Sequence, residues 1–231
     1  MPLLQPLAPD IWLADGPSVP FLGVPFPTRM AVVRLRNGDL WIWSPIALTT
    51  ELRWTLNEHG RVRHLVSPNK LHHLALGDWQ REWPEAHLYA SPGLPKRRTD
   101  LRFDVELGDD PVPAWSGEID HVVFRGSFAM DEVVFFHPAS STILFTDLIQ
   151  KFDPTSLKGW RLAFMRLDGL VGPRGSTPRE WRLSFWNRGA ARQSLATVLS
   201  WKPERLVIAH GVCVLENGTE AVRQSFRWLR A

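Results

Sequence analysis

Apolar positions in the first third of the chain fall in short runs bounded by turn residues, the pattern of strands rather than helices. Met30–Leu35 and Leu40–Trp43 are two such runs, joined by Arg36-Asn37-Gly38-Asp39. Asn-Gly between β-rich runs predicts a hairpin whose two turn residues both accept positive φ. Pro45 stands near a helix start, Leu48, Leu52, Trp54 and Leu56 share no strand alternation, and Gly60 supplies a stop. Val62–Ser67 returns to strand and ends at Pro68. Leu71–Trp83 has a helical pattern closed by Pro84, and His87–Ala90 is again strand.

The stretch Ser91–Gly117 is rich in proline, glycine and charge, which predicts loops with one short strand near Leu101–Val105. Ile119–Phe124 reads as strand. Glu132–His137 and Thr142–Phe145 form a second hairpin around Pro138–Ser141, with His137 facing Thr142 and Glu132 facing Asp147. From Asp147 to about Trp186, glycines and prolines, Pro173 among them, leave no helix limits to draw. Arg188–Trp201 is helix and Leu206–Ala209 a buried strand; Asn217 with Glu220 is a capping pair for a last helix reaching Arg230. Strands first, then helices interleaved with strands, predict stacked sheets covered by helices.

A length of 231 residues fits one α/β domain, 1–231, and 44% hydrophobic with 22% charged residues is ordinary for a globular protein. The single cysteine, Cys213, excludes an internal disulfide framework and a cysteine-rich zinc site, and reads as a small hydrophobe. No apolar run reaches the roughly 18 residues of a membrane span. Met1–Asp10 holds Pro2, Pro6 and Pro9 without a basic leader, so a cytoplasmic protein is expected. Net charge is only +3, and Lys96-Arg97-Arg98 reads as a solvated face, so neither nucleic acid nor membrane is an expected partner. Twelve tryptophans beside one tyrosine suggest core and cleft lining, with Trp79, Trp160 and Trp186 as cleft candidates. Phosphate loops, dinucleotide turns and nucleophile elbows are absent.

Three polar clusters follow expected strands: Ser67-Pro68-Asn69-Lys70-Leu71-His72-His73, Thr146-Asp147 and Ala209-His210-Gly211. Strand ends are where α/β folds assemble sites. Adjacent histidines at a strand-to-helix turn can converge on one ion, although any one of them alone is more often a structural residue. His59, His64, His87 and His121 have no companion ligands, and His137 lies too far along its strand from Asp147 to ligate.

The order and context of these clusters resemble the metallo-β-lactamase superfamily, in which a strand ends in Thr-His-x-His-x-Asp-His, a later hairpin in Gly-Asp, and a late strand in His-Gly. Leu40-Trp41-Ile42-Trp43-Ser44-Pro45 and the 67–73 segment also resemble a divergent branch, the domain of unknown function 4336 type. The resemblance implies an αββα sandwich: two stacked mixed β-sheets flanked by helices. The first two family histidines are Pro68 and Lys70 here, and the third first-site histidine, expected near Gly126-Ser127-Phe128, is missing. What survives is one site of His72, His73, Asp147 and His210, with His72 replacing an aspartate. Such a set suits one divalent transition metal, zinc foremost, with iron or nickel as alternatives.

Lys70 has two readings: an ammonium standing where the first ion would sit and orienting an anionic substrate group, or a solvent-facing lysine at a helix start. Glu132 would support Asp147 or transfer a proton. Two functions follow. One is a metal-dependent hydrolase of a small-molecule substrate; four protein ligands, however, leave a tetrahedral ion no open position. The other is a non-catalytic binding or structural module on the same fold. Substrate and oligomeric state are not encoded in any motif.

Overall fold

The computed structural model describes residues 3–21, 24–172 and 175–229; Met1, Pro2, Pro173 and the expected helix end at Arg230 lie outside them. The chain divides into two compact units, residues 1–19 with 27–110 and residues 20–26 with 111–231, each described by itself below.

The sheet of the first unit has seven strands in chain order: β1 (Gln5–Ala8), β2 (Ile11–Phe21), β3 (Val24–Arg34), β4 (Asp39–Trp43), β5 (Arg61–Val66), β6 (His87–Ala90) and β7 (Val105–Glu106). The β3–β4 pair is antiparallel, and pairs from β4 to β7 are parallel. Parallel strands are covered on both faces, and every residue of β4 is buried. The expected hairpin is present with Arg34 opposite Leu40. Within the Asn-Gly turn only Gly38 takes positive φ, +84°. Asn37 instead brackets Asp39, accepting its N–H and donating to its carboxylate at 2.9 Å each.

Crossovers in this unit carry α1 (Thr50–His59), α2 (Leu76–Glu82) and the single turn α3 (Leu94–Arg97). Thr49 caps α1 by accepting the Leu52 N–H at 3.2 Å, and the Gly60 N–H closes onto the Leu56 carbonyl at 3.1 Å. The helix expected from Leu71 starts only at Leu76. Asn69 Oδ1 accepts the N–H groups of Leu71 (2.8 Å) and His72 (3.2 Å), holding that stretch in a side-chain-anchored turn. Trp79 is fully buried, its indole N–H on the Ile46 carbonyl at 2.7 Å, so it is core and not cleft lining.

The second unit has a four-stranded sheet ordered β11-β10-β9-β8: β8 (Asp120–Phe124), β9 (Glu132–His137), β10 (Thr142–Phe145) and β11 (Arg205–Ile208). The pairs β8–β9 and β9–β10 are antiparallel and β10–β11 is parallel. The segment without predicted limits holds α4 (Gly159–Leu167) and α5 (Arg179–Ser184), followed by α6 (Arg188–Ser200) and α7 (Gly218–Ser225). Phe124 stacks on Phe226 at 4.8 Å inside a core that also takes Phe145, Phe185 and Val198. Asn217 makes no side-chain cap; it enters α7 at φ +58°, and the helix stops at Ser225. Trp160 and Trp186 stand exposed. No described helix is long and apolar enough to cross a membrane.

His64 lies buried in β5, its Nδ1 3.2 Å from the Tyr89 hydroxyl. Burial, with help from His87 and Arg63, lowers its pKa to about 4 against the opposing pull of Asp39. The unfolded chain therefore takes up a proton at this residue near pH 6.5, whereas the folded chain does so only near pH 4. Stability from His64 is present above pH 6.5 and is lost as pH falls from there to about 4. Chemical denaturation across that range should show the decline, and His64→Leu should flatten it.

Candidate metal centre

In the second unit, β10 and β11 run in parallel with Phe145 opposite Ile208, and the Ala209 N–H donates to the Phe145 carbonyl at 3.1 Å. Both chains therefore leave the sheet side by side, and Asp147 and His210 emerge at the same level. His210 Nε2 lies 3.3 Å from Asp147 Oδ1, and both side chains are buried. The Phe26 ring packs edge-on against the imidazole at 5.4 Å. Gly211 has φ +115°, and a β-carbon there would collide with the Lys151 carbonyl. Only glycine lets the chain turn this closely past Lys151 directly after His210.

Glu132 opens β9, and the predicted register of that hairpin, His137 opposite Thr142, is observed. Its carboxylate is fully buried. One oxygen accepts the Thr146 N–H at 2.7 Å; the other accepts those of Asp147 (2.8 Å) and Leu148 (3.1 Å). Burial pushes its pKa up to about 7, the charge of Asp147 adds to the rise, and the N–H bonds oppose it. Both oxygens thus accept from the stretch of backbone that carries Asp147. His137 pairs with Ser140 at 2.8 Å, at the opposite end of the hairpin.

In the first unit, His72 Nδ1 meets Ser44 Oγ at 2.7 Å, and the His72 carbonyl accepts from Ser67 Oγ at 2.7 Å. Ser44 follows β4 directly at φ +54°, a conformation unfavourable for serine. Strain of this kind persists only where surrounding structure enforces it. Here the Ser44 N–H is held by the Val66 carbonyl at 3.0 Å. Nothing in residue type marks Ser44 as functional, and sequence reasoning missed it, as it missed Phe26.

His73, next in the chain, is turned to another partner. Arg98 Nη1 lies 2.9 Å from both its Nδ1 and its carbonyl oxygen. Burial, then the charges of Arg97 and Arg98, hold its pKa below 6.5, so the neutral ring accepts from the guanidinium. A fixed cation bonded to the imidazole disfavours a second cation there. Lys70 lies over the loop that precedes α3, its Cε and Nζ at 2.7 and 3.0 Å from where a β-carbon on Gly93 would stand. Its carbonyl accepts from Arg97 at 3.1 Å.

A family model described as Domain of unknown function (DUF4336) matches residues 10–160. The chain belongs to that family. Among solved structures, a metallo-beta-lactamase from Pontibacter korlensis aligns at a TM-score of 0.65 with 12% identity, covering 98% of both chains. A metallo beta lactamase from Hirschia baltica aligns at 0.64 with 11% identity, over 99% of this chain and 97% of its own. The Flv1 flavodiiron core from Synechocystis sp. PCC6803 aligns at 0.66 with 13% identity, over 98% of this chain and 60% of its own. No curated protein matches the sequence. The DUF4336 chain therefore has the metallo-β-lactamase fold, a mixed α/β architecture with two mixed sheets and helices.

Two substitutions test how the second unit holds Asp147 and His210. Glu132→Ala strands three backbone N–H groups and should cost about 3 kcal/mol or more in urea unfolding, with Glu132→Gln restoring only part of it. Gly211→Ala should cost about 2–4 kcal/mol by the same measurement, because strain and collision with Lys151 add.

Proposed function

We propose that His72, Asp147 and His210 hold one divalent metal ion in a hydrolytic centre acting on a small molecule. The observation that carries this reading is the buried Asp147–His210 pair at 3.3 Å, presented by two parallel strand ends. Two imidazoles and a carboxylate are competent ligands for zinc, iron or nickel. With Nδ1 of His72 against Ser44, a metal would take the Nε2 nitrogen, and the serine would fix the ring as a positioning residue.

Leaving His73 to Arg98 changes the ligand count. Three protein ligands, unlike the four first expected, leave a position open for water or substrate, as catalytic sites require. A bound ion would supply Lewis acidity, polarising an ester, amide or phosphoryl oxygen and activating water. The chain's own part is orientation. Glu132 grips the backbone around Asp147, Gly211 lets His210 turn in, and the edge of Phe26 covers the imidazole. Lys70 has no part in this set.

A metal-free reading keeps one specific support: 3.3 Å is also the distance of an Asp147–His210 ion pair. Metal analysis of protein purified after metal-replete growth separates the two. The hydrolase reading expects about one equivalent of transition metal, lost in His210→Ala and Asp147→Ala, together with turnover of generic ester or phosphodiester substrates. Ser44→Ala should weaken metal affinity about 10- to 100-fold. No stoichiometric metal in the wild type would end the metal reading; metal without turnover would leave a structural ion.

A further inference from the structure

We propose that the exposed face of α4 and α5 in the second unit docks on an anionic lipid bilayer. Trp160, Phe164 and Leu167 recur along α4 at the spacing of one helix face, and they are 61%, 51% and 69% exposed. The opposite side of the helix is satisfied, with Met165 buried beside Phe152, Leu157 and Leu170. Leu183 within α5 and Trp186 just beyond it are 78% and 80% exposed, and the Trp186 ring lies tilted against exposed Phe128, at 4.7 Å. Isolated exposed apolar residues need no explanation, but six large ones on neighbouring segments mark an interaction surface.

Charge identifies the partner. Residues 158–192 carry eight Lys and Arg against two acids, a surplus that the rest of the chain offsets down to +3. Arg179, Arg182 and Arg188, with Leu183 and Trp228, line an open cavity of about 290 Å³ between the apolar side chains. Arg182 forms its wall, donating to Thr177 O at 2.6 Å and Ser176 Oγ at 2.7 Å, and reaching Asp168 O at the end of α4 at 3.5 Å. Burial lowers its pKa, and the charges of Arg227 and Arg179 add to the fall against the opposing pull of Asp168 and Glu180.

Tryptophan and leucine projecting beside arginine fit the boundary of an anionic bilayer, where apolar groups enter the acyl region and guanidinium groups meet lipid phosphates. A nucleic acid would satisfy the arginines but offers nothing to Leu167 and Leu183. A second copy would bring two such basic faces together.

Flotation of the full chain with vesicles tests the proposal. Binding is expected to phosphatidylcholine vesicles containing phosphatidylglycerol and not to phosphatidylcholine alone, and to weaken as salt is raised. Trp160→Ser with Trp186→Ser should lower partitioning about tenfold or more. Arg179→Gln and Arg188→Gln should lower it about fivefold per charge. All these positions are exposed, and circular dichroism checks that each variant folds. Equal binding to both vesicle types, no binding to either, or unchanged binding in both double variants overturns the proposal. So does retention on DNA, or a dimer lost in the tryptophan variant, where vesicle binding is absent.

Discussion

A buried carboxylate has to be compensated where it lies, and Glu132 accepts three backbone N–H groups, those of Thr146, Asp147 and Leu148. That interaction makes the end of β10 rigid at the residue where the strand ladder has already stopped. Without it three N–H groups would point into an apolar core, and the Asp147 side chain would sit on a loop free to choose its direction. Pairing with β11 positions the chain up to Phe145, and Glu132 carries that order on to Asp147 and Leu148.

Asp147 and His210 are brought together by parallel strand ends and not by a local motif. In the loop after β5, Asn69 uses its amide oxygen to fold the chain back on Leu71 and His72. There the His72 imidazole meets Ser44, which directly follows β4. Its neighbour His73 is drawn the other way by Arg98. Two adjacent histidines in one turn thus serve different partners.

Much of the fold was legible because strand periodicity and turn chemistry are local. Glu132–His137, Thr142–Phe145 and His87–Ala90 lie where alternation and flanking prolines place them. The region after Asp147 was not legible: α4 and α5 begin at Lys158 and Pro178 without side-chain caps. At Asn217 the residue types of a cap are present, but the left-handed backbone points the amide elsewhere. The Asp147–His210 pair was readable as two ligand-type residues at strand ends. The Ser44–His72 and Arg98–His73 contacts were not, because each joins residues more than twenty positions apart and neither serine nor arginine announces such a partner.

The parallel pairing of β10 with β11 has a consequence for how this chain tolerates change. Because the two strands leave the sheet in the same direction, the separation of 147 and 210 along the sequence has no bearing on their separation in space. The sixty-odd intervening residues can lengthen, shorten or acquire new surface while the two side chains stay abreast. A single residue inserted within either four-residue strand is a different matter, since it would rotate one of the pair to the opposite face. Evolution at this locus is therefore cheap in the long excursion and forbidden in the short ladder.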